Sequence, residues 1–178
     1  ALSGAAQPRT KAGAIADPQT AYGADGYSIA PSIVATLPGA LVRDGLPSVF
    51  DDPSASTRAD GPSIVMRADT GELVPHYVDV HDRVAEDSPR PIVIRAIGPL
   101  APRTRYVVAL SGVKVEGGAL AAPGEGFRRL RDREADPAID ALAPRFASEI
   151  FAPLAKAGVR RETLQLAWDF TTGSTEQP

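Results

Sequence analysis

The 178 residues contain no cysteine and no asparagine. Without cysteine there can be no disulfide, no thiol nucleophile and no thiolate-held zinc or iron–sulfur centre. A chain this long can bury an adequate core without staples, so export remains compatible with the composition. Without asparagine there are no Asn-Gly hairpin turns and no N-glycosylation acceptor. Aromatic residues make up only 6%, with a single Trp and a single Met. No apolar run approaches the roughly 18 residues that cross a bilayer. The formal net charge is -3. Its one arginine-rich stretch, "FRRLRDRE" at 127–134, interleaves acids with the bases. That pattern describes a solvated mixed-charge surface and not a nucleic-acid face, which needs one sign of charge gathered together.

What is present is a succession of short extended runs. "SIVMRADTGELVPHYVDVHD", 63–82, reads as two runs joined at Asp69-Thr70-Gly71-Glu72, a composition that suits a tight hairpin. "IVIRAIGPL", 92–100, is extended again. "RYVVALSGVKV", 105–115, is apolar on both parities: Tyr106, Val108 and Leu110 face one way, Val107 and Ala109 the other. A strand of that kind belongs in the middle of a packed structure. "LQLAWDFTTGS", 164–174, alternates, with Leu164, Leu166, Trp168 and Phe170 in one row and Asp169 opposite. One segment has a different period. In 136–158, Ile139, Leu142, Phe146, Ile150 and Leu154 recur at helical spacing. Pro137 suits a helix start and Gly158 a stop, while Pro144 and Pro153 predict two short helices or one kinked helix. Consecutive strands with one helical insertion before the last of them predict a mainly-β antiparallel sandwich. Residues 1–23, rich in Ala, Gly and Pro, read as a loosely packed arm, 24–174 as the domain, and 175–178 as a tail.

The chemical motifs are weak. Ser111 and Lys114 fit S-x-x-K, but on a strand end rather than a helix face. Gly124-Glu125-Gly126 lacks the remainder of a dinucleotide loop, and no G-x-S-x-G elbow exists. His76, Asp79, His81 and Asp82 have the ligand types for a divalent metal. The two histidines are five apart, however, and a regular strand sends them to opposite faces. They are carried forward as binding candidates on a surface strand. Asp51, Asp52 and Asp60 offer oxygen ligands without any EF-hand order. No catalytic, cofactor or metal set is assigned.

"GPLAPRTRYVVALSGVKVEGG", 98–118, and "AKAGVRRETLQLAWDFTTGS", 155–174, together with "ADGYSIAPSI" near the start, carry a resemblance. The chain resembles bacterial Ig-like domains, in the longer form found as the amino-terminal Ig-like region of secreted esterase and lipase proteins. The resemblance implies a non-catalytic accessory or spacer module, secreted or in the cell envelope, whose partner is an adjacent hydrolase domain or an envelope protein. It implies no cofactor. It also implies that Tyr106 packs behind the turn at Leu100, Pro102 and Thr104, that Phe127 and Leu130 anchor the insertion, and that Phe170 belongs to the closing strand. The expected core is therefore Tyr106, Val108, Leu110, Phe127, Leu164, Leu166, Trp168 and Phe170. Two other readings stay open: a glycan-, peptide- or protein-binding module, and a small hydrolase of unrecognised type.

Overall fold

The computed structural model describes residues 11–14, 25–81 and 88–174. Most of the expected arm 1–23, the tail 175–178 and the candidate Asp82 lie outside them. Eight strands run in chain order: β1 (Ile33–Ala35), β2 (Leu41–Val42), β3 (Ser63–Arg67), β4 (His76–Val80), β5 (Ile92–Ala96), β6 (Arg105–Leu110), β7 (Lys114–Val115) and β8 (Leu166–Thr171). They form an antiparallel sheet β1-β5-β4, a ribbon β2-β7, and an antiparallel sheet β3-β6-β8. The protein is mainly β.

The two apolar rows of β6 explain the layering. Tyr106, Val108 and Leu110 join Ile33, Val78, Val80, Ile92 and Ile94 of the facing sheet in one buried cluster. Val107 and Ala109 point the other way, into a second cluster with Ile150, Phe151 and Leu154 of the helical insertion. The middle sheet is thus covered on both faces. β6 is its central strand, paired to β3 through Val65↔Val108 and to β8 through Val108↔Trp168. Burying each such aliphatic side chain contributes about 1.5–3 kcal/mol, so a strand with five buried positions fixes the register of both its neighbours.

Three expectations need correction. The segments 63–68 and 76–80 are not partners in one hairpin. The turn at 67–71 does close, with the amide of Gly71 donating to the carbonyl of Arg67, and Leu73 bridges back to Met66. Pro75 then ends the pairing, and β4 crosses to the other sheet, where it pairs with β5. The helical segment also differs. A helix α1 (Glu125–Asp132) covers most of "FRRLRDRE", and the insertion is helical from a 3-10 turn at Asp140–Leu142 onward, not from 136. There α2 (Ala143–Phe146), a π turn (Ala147–Phe151) and α3 (Ala152–Lys156) follow one another without a break. Pro144 sits in the first turn of α2, where no donor is missed. Pro153 cannot donate to the carbonyl of Glu149, four residues back. The guanidinium of Arg105 donates to that carbonyl instead, at 2.7 Å. The third correction concerns the closing strand. Tyr106, Val108, Leu110, Phe127, Leu164 and Phe170 are buried, but Leu166 and Trp168 are only half-buried. β8 is an edge strand, so no further strand among the described residues lies beyond it.

Residues 25–27 and 171–174 meet. The amide of Tyr27 donates to the carbonyl of Thr171, and that of Gly173 to the carbonyl of Tyr27. The Asp25 carboxylate accepts from the amide of Ser174 at 2.8 Å. The crossing is so close that a Cβ on Gly26 would lie 2.5 Å from the nitrogen of Gly173. Only glycine fits there.

Candidate functional site

β4 carries two of the four candidate residues, His76 and Asp79, and His81 follows it directly. The strand's burial alternates, with His76, Val78 and Val80 turned in and Tyr77 and Asp79 turned out. His76 and exposed His81 therefore do not meet, as their odd spacing requires. Asp79 is half-exposed and pairs with Arg43 at 3.4 Å. No group of three or more His, Asp or Glu that could hold a metal occurs among the described residues. Asp51, Asp52 and Asp60 do not converge either. Asp51 accepts from the amide of Ser48, Asp52 caps the 3-10 turn Pro53–Ser56 through Ser54, and Asp60 binds Arg58. The Ser111 hydroxyl donates to the carbonyl of Gly61, and Lys114 pairs with Asp44.

His76 has a more specific environment. It is 1% exposed, and its Nδ1 lies 2.8 Å from the carbonyl of Val74. A carbonyl only accepts, so Nδ1 carries the proton and Nε2 is the acceptor. The Ser63 hydroxyl, 2.8 Å away, donates to it. The backbone amide of His76 in turn donates to the hydroxyl of Ser56. This serine–histidine pair has the spacing of a nucleophile and its base. Ser63 is fully buried, however, and borders none of the clefts described below. The signal for it was present in the sequence, because His76 shares the parity of Val78 and Val80 and so belongs to their inward row.

Burial pushes the His76 imidazole below its ordinary 6.5, with the bonds to Val74 and Ser63 opposing that push. The imidazole therefore gains its proton more readily in the unfolded chain than in the fold. Stability from this residue is complete above pH 6.5 and falls as pH drops through the lowered folded value. We expect urea midpoints to decline over that window and His76→Gln to remove this part of the slope. An imidazole that titrates at or above 6.5 by NMR in the folded protein would contradict the assignment.

A cleft of about 810 Å³ is lined by Gly61, Gly112, Leu120, Arg160 and Gln165. Gln165 is 3% exposed and its amide is fully used. Oε1 accepts from the amide of Val113, and Nε2 donates to the carbonyls of Val113 and Ala121. A second polar cluster lies on the helical side. Asp169, opposite Trp168 on β8, takes Arg105 at 2.8 Å and Arg145 at 2.6 Å, and Glu149 adds a second carboxylate to the same two bases. Asp169 holds the Arg145 guanidinium more firmly protonated than usual. These four alternating charges tie β6, β8 and the insertion together.

Neither a comparison with protein families nor one with curated proteins found a match for this chain. No helix among the described residues is long and apolar enough to cross a membrane.

Proposed function

We propose that this chain is a non-catalytic Ig-like module that serves as an accessory or spacer domain of a secreted or envelope-associated protein, next to a hydrolase domain. The strand order supports the Ig-like reading. Constant-type Ig domains keep strands B, E and D in one sheet and C, F and G in the other. In chain order, β1, β5 and β4 take the first three places, and β3, β6 and β8 the second three. Tyr106, near the start of the strand in the F position, supports it too. Its hydroxyl accepts from the backbone amide of Ala101, five residues upstream, at 2.9 Å. That is the position of the tyrosine corner in Ig-type sandwiches. The departures are the β2-β7 ribbon and a long insertion between the strands in the F and G positions, which covers the outer face of that sheet. The placement beside a hydrolase domain, and the exported location, rest on the sequence resemblance.

The observation that carries the non-catalytic reading is the closure of the Ser63–His76 pair. A nucleophile must reach its substrate, and this one is packed out of solvent. The purified chain is expected to hydrolyse p-nitrophenyl acetate and butyrate no faster than a Ser63→Ala variant. Turnover that co-purifies with the protein and vanishes in Ser63→Ala would overturn the reading.

A further inference from the structure

A cleft of about 530 Å³ lies between the end of α1 and the start of the insertion, and neither Ser63 nor His76 lines it. Its volume is within the roughly 300–1,000 Å³ typical of small-molecule sites. Leu130, Ile139, Ala143, Pro144 and Ala147 give it apolar walls, and Arg133 and Arg161 both border it. The Arg161 guanidinium is fixed from two sides. Nε and Nη2 donate to the carbonyls of Arg131 and Leu130 at 2.7 and 2.6 Å, and the group lies 3.9 Å above the Phe151 ring. Those contacts use one edge of the guanidinium fork and leave Nη1 without a hydrogen bond among the described residues. Arg133 ends α1 in the left-handed region, at φ 62°. Glycine is the ordinary occupant of that position, and an L-residue there costs about 1 kcal/mol or more.

Among the described residues neither guanidinium has a carboxylate within ion-pair distance; Asp132, bound to Arg131, acts on Arg161 only from further off. This contrasts with the surrounding arginines: Arg128, Arg129 and Arg131 all have one. The two acids on the rim are occupied elsewhere. Glu134 binds Arg128, and Asp140 accepts from the amide of Asp136. Arg133 also depresses the proton affinity of Arg161, after the larger effect of burial, so the two cations feel each other. A pair of like charges, one rigidly held and the other placed at a strained position, has no anion in direct contact among the described residues, and Asp132 offsets it only at longer range.

We propose that this cleft binds a small organic anion, a carboxylate whose apolar body lies against Ile139, Pro144 and Ala147 while its oxygens bridge Arg133 and Arg161. This goes beyond the module reading and does not rest on it, since a domain with or without enzymatic activity could carry the site.

The test uses octanoate as the probe, titrated into the full chain and followed by amide chemical shifts. Saturable shifts are expected at Arg133, Glu134, Ile139 and Ala147. Octan-1-ol lacks the charge and inorganic phosphate lacks the apolar body, so each should bind at least about tenfold more weakly, as loss of a charge-assisted contact or of hydrophobic burial implies. Arg133→Gly separates binding from folding. It removes the guanidinium and supplies the residue that the backbone prefers, so the variant should melt no lower than the wild type yet lose octanoate affinity about tenfold or more. The absence of saturable shifts at the cleft, equal affinity for octan-1-ol or phosphate, or unchanged octanoate binding by Arg133→Gly would each overturn the proposal.

Discussion

Tyr106→Ala is expected to cost about 3–5 kcal/mol, the usual range for truncating a buried aromatic side chain. The ring is 2% exposed and stacks on Phe170 at 5.7 Å, inside the cluster shared by the two sheets. Truncation also strips the amide of Ala101 of its acceptor. At this chain length each kcal/mol moves the melting temperature by roughly 2–4 °C, so a fall of roughly 6–20 °C follows. Tyr106→Phe keeps the ring and loses only the hydroxyl, and about 1 kcal/mol is expected for that. Trp168→Ala is the comparison that tests the layering. Its ring packs on the same cluster but from an edge strand, half in solvent, and its loss should cost only about 1–2 kcal/mol. A Trp168→Ala variant as unstable as Tyr106→Ala, measured by urea denaturation, would mean that β8 is not an edge.

The second large effect is expected at Gln165. Its side chain replaces a missing piece of β-ladder between β8 and the segment 113–121. Gln165→Leu fills nearly the same volume and makes none of the three bonds. The amide of Val113 and the carbonyl of Ala121 then lose their partner, while the carbonyl of Val113 keeps the amide of Ala121. An unsatisfied buried polar group costs about 1–3 kcal/mol, so a loss of about 3 kcal/mol is expected for the two together. The local readout is amide hydrogen exchange at Val113, which should accelerate more than exchange across β3 and β6. Wild-type stability in Gln165→Leu would show that solvent from the adjoining cleft reaches both groups.

How far these contacts could be read in advance depends on how local their causes are. β6 was legible because both of its parities are apolar, a property of six consecutive residues. The opposite directions of His76 and His81 were legible for the same reason. The half-burial of Trp168 was not. Its row looks like a core row, and only the strand order, which no local pattern encodes, places it at an edge. Of the two readings the prolines left open, the single continuous helix is the one found, and its cause was illegible, because the carbonyl of Glu149 that Pro153 leaves open is taken by Arg105, 44 positions before it in sequence. The crossing of β4 to the other sheet follows from Pro75 only once the partner sheet is known. The Arg133–Arg161 cleft left no signal, since one arginine ends a helix and the other follows the insertion, and nothing in their spacing joins them.

The meeting of Asp25 and Gly26 with Gly173 and Ser174 has an architectural consequence. A stretch such as 25–174, whose two ends touch, occupies almost no length along the chain that contains it. It can be spliced into a surface loop of a host without prying the host's own ends apart, and its ends can be joined and reopened elsewhere by circular permutation. Such a unit adds bulk to one side of a larger protein without acting as a ruler between neighbours. If this module spaces two partners, it does so by standing between them as a side branch and not by lengthening the thread that connects them.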